Sequence, residues 1–469
     1  MKWGALAKLG GQTVSWAITL VVFRLLDPED YGLLAIGMVL VSVVAGIAEF
    51  GLGASLIQSP SLDKEELRQV AGALAALNVA CAIVIIAGAP LFAQMLGNDP
   101  RLADVIRVLS IQFLLNALDA VPQSLAARDM QFKFVAGIEL VSTVTGSVIT
   151  LVLAWLDFGV WSLIFGNLAG GVLRTTLYVT LGTYVRPALP WRGIGRHVRF
   201  GGAVTATRAL WQLTYQSDML VAGRFLMPEA VGLYSISMHL ATLPMNKVMG
   251  IVNQVAFPAV ARLQDELPRM RERLLSSLRL LAFVAIPALW GISAAAPEFV
   301  DVILGERWHP AILPLQIVSF IAPLRLLAAV LATALAALGR ADLELRNTIV
   351  SAIVLPIAFV IGVQHGLTAL AASWLVGIPI VFVINFPLTW RTVGIRFREL
   401  AFAMRAPLLA GVVMYGCVYG ARLPLMGIDE VARLPVLIVA GAIGYLGTLF
   451  LLDRTILHDV KRLAVAVRG

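Results

Sequence analysis

Among the charged side chains inside apolar stretches long enough to cross a bilayer, eleven are candidates for chemistry: Lys8, Glu49, Arg107, Asp119, Glu139, Arg174, Arg208, Asp218, Lys247, Arg279 and Arg325. A charge in hydrocarbon is costly, so such residues mark a substrate or ion path, or an internal pair. Arg107, Glu139, Arg174 and Arg279 stand near span ends, where the charged head reaches the interface, and they read as snorkelling side chains. The other seven stand deeper. Arg208, Lys247 and Arg325 form a basic set opposed by Asp218, and Lys8 stands against Glu49 and Asp119. Arg208 and Asp218 lie ten residues apart. That is close to three helical turns, about 15 Å, so they share nearly one face. A cleft lined by these residues is net basic, and guanidinium groups take phosphate and carboxylate in a bidentate grip. The chemistry expected is anion binding. Arg208, Lys247, Arg325 and Lys8 would serve as cavity cations, with Asp218, Glu49 and Asp119 as coupling or charge-pairing acids. The competing reading is a set of buried structural pairs, such as Asp218 with Arg208 or Lys247 with Glu49.

Signatures of catalysis are missing from the sequence. There is no HExxH, no Walker loop and no Gly-x-Ser-x-Gly elbow. Gly51-Leu52-Gly53-Ala54-Ser55 is glycine-rich, but no strand precedes it. The histidines His197, His239, His309, His365 and His458 are scattered, and Cys81 and Cys417 lie inside apolar stretches. Two such cysteines make neither a disulfide framework nor a zinc site. No loop exceeds about twenty residues, too little for the ordered extramembrane active site that a sugar polymerase or transferase needs. The chain therefore reads as a non-enzyme without metal or cofactor. Basic and aromatic residues are not interleaved as in nucleic-acid-binding modules.

The elements that position the charges are set by composition. Of 469 residues, 59% are hydrophobic and 14% charged, and the mean hydropathy is +0.88. Soluble domains carry about 25% charged residues, and a bilayer is the environment that accommodates the difference. Apolar runs predict about fourteen transmembrane helices, near 3–25, 33–56, 69–96, 104–127, 134–156, 159–181, 200–225, 230–258, 276–304, 312–338, 347–364, 367–390, 405–421 and 433–453. The thirteenth is the shortest. The N-terminal run lacks a small-residue cleavage site and reads as the first helix rather than a signal peptide. Loops after even-numbered spans, with the tail, hold 22 basic residues, and loops after odd-numbered spans hold 6. Basic residues collect on the cytoplasmic side, which places both termini there and accounts for the +8 net charge.

The chain also repeats itself. Arg24-Leu25-Leu26-Asp27-Pro28-Glu29-Asp30-Tyr31-Gly32-Leu33 is echoed by Arg224-Phe225-Leu226-Met227-Pro228-Glu229-Ala230-Val231-Gly232-Leu233 at an offset of 200 without a gap. Gln12 matches Gln212, Lys8 matches Arg208 and Leu40 matches Leu240. Six spans per repeat keep both copies in one orientation, related by an axis along the membrane normal. The fold expected is an all-α integral membrane protein with two pseudo-twofold-related six-helix lobes, 1–199 and 200–402, followed by two further helices and a cytoplasmic tail over 403–469. Parallel repeats of this kind commonly carry substrate at the repeat interface.

The first repeat copy resembles the R-L-L-x-P-E-D-[FY]-G motif of Wzx-type polysaccharide flippases. Phe50-Gly51-Leu52-Gly53-Ala54-Ser55-Leu56-Ile57-Gln58, Tyr215-Gln216-Ser217-Asp218, Gly223-Arg224-Phe225-Leu226, Phe257-Pro258-Ala259 and Gly305-Glu306-Arg307-Trp308 are similar to the same family, in order, to about residue 400. The family lies in the multidrug/oligosaccharidyl-lipid/polysaccharide exporter superfamily. The resemblance implies two lobes that open alternately to each side of a bacterial inner membrane. It implies translocation of an undecaprenyl-pyrophosphate-linked oligosaccharide for exopolysaccharide or lipopolysaccharide synthesis, driven by a proton or sodium gradient. It also implies a polysaccharide polymerase and export machinery as partners, beside membrane lipid, and makes Asp218 the first choice for coupling. The lipid II flippase branch fits less well, since its first-helix arginine pattern is not found; Lys8 stands at the repeat-equivalent of Arg208 instead. The alternatives are a cation-coupled multidrug exporter, whose cavity would be acidic, and a membrane-embedded polymerase.

Overall fold

Inside hydrocarbon every backbone N–H and C=O must find a partner within its own segment, so apolar runs become helices. Each expected span within the described residues is helical, and no strand occurs among them. The computed structural model describes residues 15–48, 52, 56, 63–97, 99–189, 195–261 and 266–453. In chain order the helices are α1 (Ser15–Leu25), then α2 (Pro28–Ala48), α3 (Lys64–Leu96), α4 (Leu102–Leu109), α5 (Ile111–Arg128), α6 (Phe132–Trp155), α7 (Val160–Leu181), α8 (Gly195–Phe225), α9 (Pro228–Ala261), α10 (Leu267–Ala294), α11 (Ala296–Ile303), α12 (Ile312–Ala337), α13 (Ala341–Val363), α14 (Leu367–Val393), α15 (Phe397–Arg422) and α16 (Glu430–Leu452). Ten segments among the described residues are long and apolar enough to cross a membrane. Their outward faces carry isoleucine, valine and leucine in the open, such as Ile83, Val84, Ile443 and Leu451. The chain is a multi-pass membrane protein.

Helix starts explain where the spans depart from expectation. The second begins at Pro28 rather than near residue 33. Proline suits the first helical position, Glu29 and Asp30 sit in the first turn, and the Asp30 carboxylate accepts the Asp27 N–H at 3.2 Å. The repeated Pro-Glu motif is therefore a helix N-terminus. The thirteenth span was expected over 405–421, but α15 starts at Phe397, because Glu399 reaches back to accept the Arg396 N–H at 2.9 Å. The fourth expected span is divided into α4 and α5 at Ser110, whose hydroxyl donates to the Arg107 carbonyl at 2.6 Å.

The chain forms two compact units, Met1–Gly232 and Leu233–Gly469. In the first, α6 and α7 make a tight hairpin. A Cβ at Gly146 would lie 2.8 Å from the Gly166 carbonyl oxygen, and one at Gly170 would lie 2.9 Å from that of Ser142. Small residues at such crossings let backbones approach. Helix α8 packs on α2, and Gln216 donates to Ser42 Oγ at 3.1 Å. The two copies of the repeated motif meet reciprocally. A Cβ at Gly32 would strike the Pro228 carbonyl, and one at Gly232 would strike the Pro28 carbonyl.

In the second unit α10 packs on α12 and α15, and α15 pairs with α16. Its core includes Leu278, Ile286, Leu289, Ala322, Leu326, Leu335, Ala410 and Leu449. Glu298 of α11, 1% exposed, is gripped in two bonds by Arg422, both 2.7 Å. Arg433 stands 3.2 Å from the same carboxylate. This links α11, α15 and α16 at one end of the unit.

Candidate functional site

Polar residues recur along α6 at Glu139, Ser142, Thr143, Ser147 and Thr150, with Gly146 between them. Steps of three and four put all six on one helical face. Helix α7 repeats the spacing with Gly166, Asn167, Gly170, Gly171 and Arg174, and α5 adds Gln112 and Asn116. The glycine-mediated crossing of α6 and α7 turns these stripes towards α1, α2 and α5, and they line a cavity of about 560 Å³ inside the first unit.

The wall is partly fixed by its own bonds. Asp119, 1% exposed, accepts from Arg174 Nε at 3.1 Å and from Thr175 Oγ1 at 2.9 Å. Arg174 also donates to Asn116 Oδ1 at 3.3 Å. Gln112 Nε2 donates to Asn167 Oδ1 at 2.8 Å, and the Ser15 and Ser147 hydroxyls are 2.8 Å apart. Ser142 Oγ is buried and has no hydrogen-bond partner among the described residues. Arg174, expected to snorkel, instead faces this interior, and Glu139 lines the same cavity. The signal that reveals them is the polar stripe at helical period through α6 and α7, not the depth of each charge.

A second polar feature lies in the other unit. Arg325 of α12 is 8% exposed, and its guanidinium sits 4.0 Å over the Trp374 ring. That indole donates to the Tyr234 hydroxyl at 2.8 Å and is backed by Phe359, ring centroids 4.8 Å apart. Arg325 has no ion pair among the described residues, and its Nη1 is buried without a hydrogen-bond partner. A desolvated guanidinium over an aromatic face keeps its charge and a free fork for an anion.

The other expected site residues are dispersed. Asp218 is buried on α8, in the first unit, with Oδ1 accepting the Met219 N–H at 2.8 Å. Lys247 is exposed on α9. Arg208 occupies a position on α8 with its side chain outside the described set, and Lys8 and Glu49 lie outside the described residues. Asp119 is paired with Arg174. No group of three or more histidine, cysteine or carboxylate side chains suited to a metal occurs among the described residues.

A many-helix membrane fold with a polar interior cavity and a buried, unpaired arginine is the build of a membrane transporter. The profile of the family described as "Polysaccharide biosynthesis protein" matches residues 21–313, and the chain belongs to that family, in agreement with its motifs. It is 26% identical over 449 residues to the lipopolysaccharide biosynthesis protein WzxC of Escherichia coli (strain K12), covering 94% of this chain and 86% of the relative. It is 24% identical over 475 residues to the succinoglycan biosynthesis transport protein ExoT of Rhizobium meliloti (strain 1021), covering 99% and 94%. Its fold is like that of the lipid II flippase MurJ in an inward closed conformation, with a TM-score of 0.78 at 14% identity over 97% of this chain and 100% of that one. It is also like an inward-facing multidrug resistance MATE family transporter, with a TM-score of 0.66 at 17% identity over 83% and 98%.

Proposed function

We propose that this protein flips an undecaprenyl-pyrophosphate-linked oligosaccharide across the bacterial inner membrane, for exopolysaccharide or lipopolysaccharide synthesis. The observation that carries the reading is membership of the polysaccharide biosynthesis family across residues 21–313. The proposal includes fourteen spans with both termini cytoplasmic, lobes over 1–199 and 200–402 with the last two helices appended, and alternating access driven by a proton or sodium gradient. It makes the protein a carrier, not an enzyme, with a polysaccharide polymerase and export machinery downstream.

The physics supports this choice of cargo. Pyrophosphate and sugars cannot enter hydrocarbon unaided, and the cost is removed if a polar path shields the head while the polyprenyl tail stays in lipid. Arg325, stacked on Trp374, favours an anionic head group over the cationic cargo of a multidrug exporter. Arg208, Lys247 and Lys8 would extend the basic path, and Asp218, Glu49 and Asp119 would couple or balance it. The test is complementation of a cell lacking its polysaccharide flippase, with wild type, Arg208→Ala, Arg325→Ala and Asp218→Asn at matched membrane levels. Restored surface polysaccharide with wild type, and its loss with the variants, is expected. A wild type that restores nothing in a host making the matched precursor counts against the reading.

A further inference from the structure

We infer that the cavity inside the first unit is a saccharide-binding site, taking one or two neutral, hydroxyl-bearing sugar residues of the cargo. The inference rests on the flippase reading and adds where the glycan is held. Its volume, about 560 Å³, falls within the roughly 300–1,000 Å³ of small-ligand sites. The lining suits a sugar. A hydroxyl group is donor and acceptor at once, so its receptor needs both kinds of atom. The Gln112–Asn167 bond uses one amide N–H and one amide oxygen, and leaves Gln112 Oε1 as acceptor and Asn167 Nδ2 as donor in a fixed relation. Ser142 Oγ is buried without a partner, and Glu139 offers carboxylate oxygens that only accept. Tyr31 and Leu115 supply apolar wall for the C–H faces of a ring.

Two other occupants fit less well. An inorganic cation draws six to eight oxygens together at about 2.3–2.6 Å. This chamber is far wider than that, and Glu139 is the single acid among its described lining residues. An acyl chain would leave Gln112 Oε1, Asn167 Nδ2 and Ser142 Oγ without hydrogen bonds. The mouth also indicates a watery approach. Thr143 and Asn167 are exposed within helices of 24 and 22 residues, and polar groups at that depth are tolerated where they line a cavity rather than lipid.

The test uses the full chain in its own host, with Cys81 and Cys417 replaced by alanine and Thr143→Cys as reporter. Alkylation by a membrane-permeant maleimide is timed in two strains, one accumulating the complete lipid-linked oligosaccharide and one blocked before the first sugar, which holds undecaprenyl phosphate alone. Labelling about tenfold slower in the first strain only, as for a site about nine-tenths occupied, is expected. Asn167→Leu, at unchanged membrane level and thermal stability, should restore fast labelling there. Equal protection in both strains would mean a lipid site and overturn the inference. So would equal, fast labelling of the reporter, at unchanged membrane level and thermal stability, in a strain whose surface polysaccharide the wild-type chain restores, and that result leaves the flippase reading standing. A wild-type chain that restores no polysaccharide in that host removes the flippase reading and the inference together.

Discussion

Arg174 of α7 reaches across to the buried Asp119 of α5, its Nε 3.1 Å from Oδ2, while Thr175 holds the same oxygen at 2.9 Å. This pair braces the wall of the polar cavity. Removing one member leaves the other charge uncompensated away from water. Breaking a buried pair costs about 3–5 kcal/mol, and the 29% exposure of Arg174 puts the expected loss for Asp119→Ala or Arg174→Ala nearer about 2–3 kcal/mol. Thermal unfolding of the purified protein checks this. The double variant should lose less than the sum of the two, and strict additivity would show that the pair does not interact.

Substitutions along α6 separate packing from simple helix propensity. A Cβ at Gly146 meets the Gly166 carbonyl oxygen at 2.8 Å, whereas one at Gly137 on the same helix meets nothing within 4 Å. Gly146→Ala is expected to destabilise by about 1–3 kcal/mol, the usual cost of overpacking. Gly137→Ala should be neutral or stabilise by up to about 1 kcal/mol. Membrane abundance and melting temperature, measured side by side, would expose the idea as wrong if the two variants behaved alike.

Arg325 is held by shape as well as charge. Lysine keeps the charge but lacks the planar group that lies over Trp374. A desolvated cation–π contact is worth about 1–2 kcal/mol, so Arg325→Lys should lower restored surface polysaccharide by roughly tenfold at matched protein levels. Full activity in the lysine variant would reduce the site to a point charge.

Glu298 is a buried acid of the second unit shared by two arginines. With Arg422 and Arg433 both on its carboxylate, Glu298→Ala leaves Arg422 with the Ala294 carbonyl and Arg433 with Glu430 in place of the buried carboxylate they share. A loss of about 3–5 kcal/mol is expected. Glu298→Gln, which keeps an acceptor, should lose distinctly less. Denaturation of the two variants ranks them, and an equal loss would assign the effect to side-chain volume rather than to the ion pair.

Much of the architecture can be read from apolar run length, because lipid leaves a backbone few options. The helix starts at Pro28 and Phe397 come earlier than apolar runs suggest, since proline and a capping glutamate start a helix before its apolar part begins. Individual charges are less legible. Depth along a span separates Arg325 from Arg107, which pairs with Asp104 at 2.7 Å on the surface. It does not separate Arg174 from a snorkelling arginine, because a linear count says nothing of which way a side chain turns. The polar stripe from Glu139 to Thr150 carries that direction. Glu298 lies near the end of an expected span, and only the contact between α11 and α15 reveals it as buried.

The reciprocal fit of Gly32 against Pro228 and Gly232 against Pro28 binds the history of the chain to its mechanics. After a duplication, copies normally drift apart, each free to lose what the other retains. Here each copy supplies the surface that forbids a side chain in the other, so a substitution in either is felt by both. Neither motif has its mate when the chain is cut between the copies. The contact between the two copies of the motif is thus a place where neither copy can change independently.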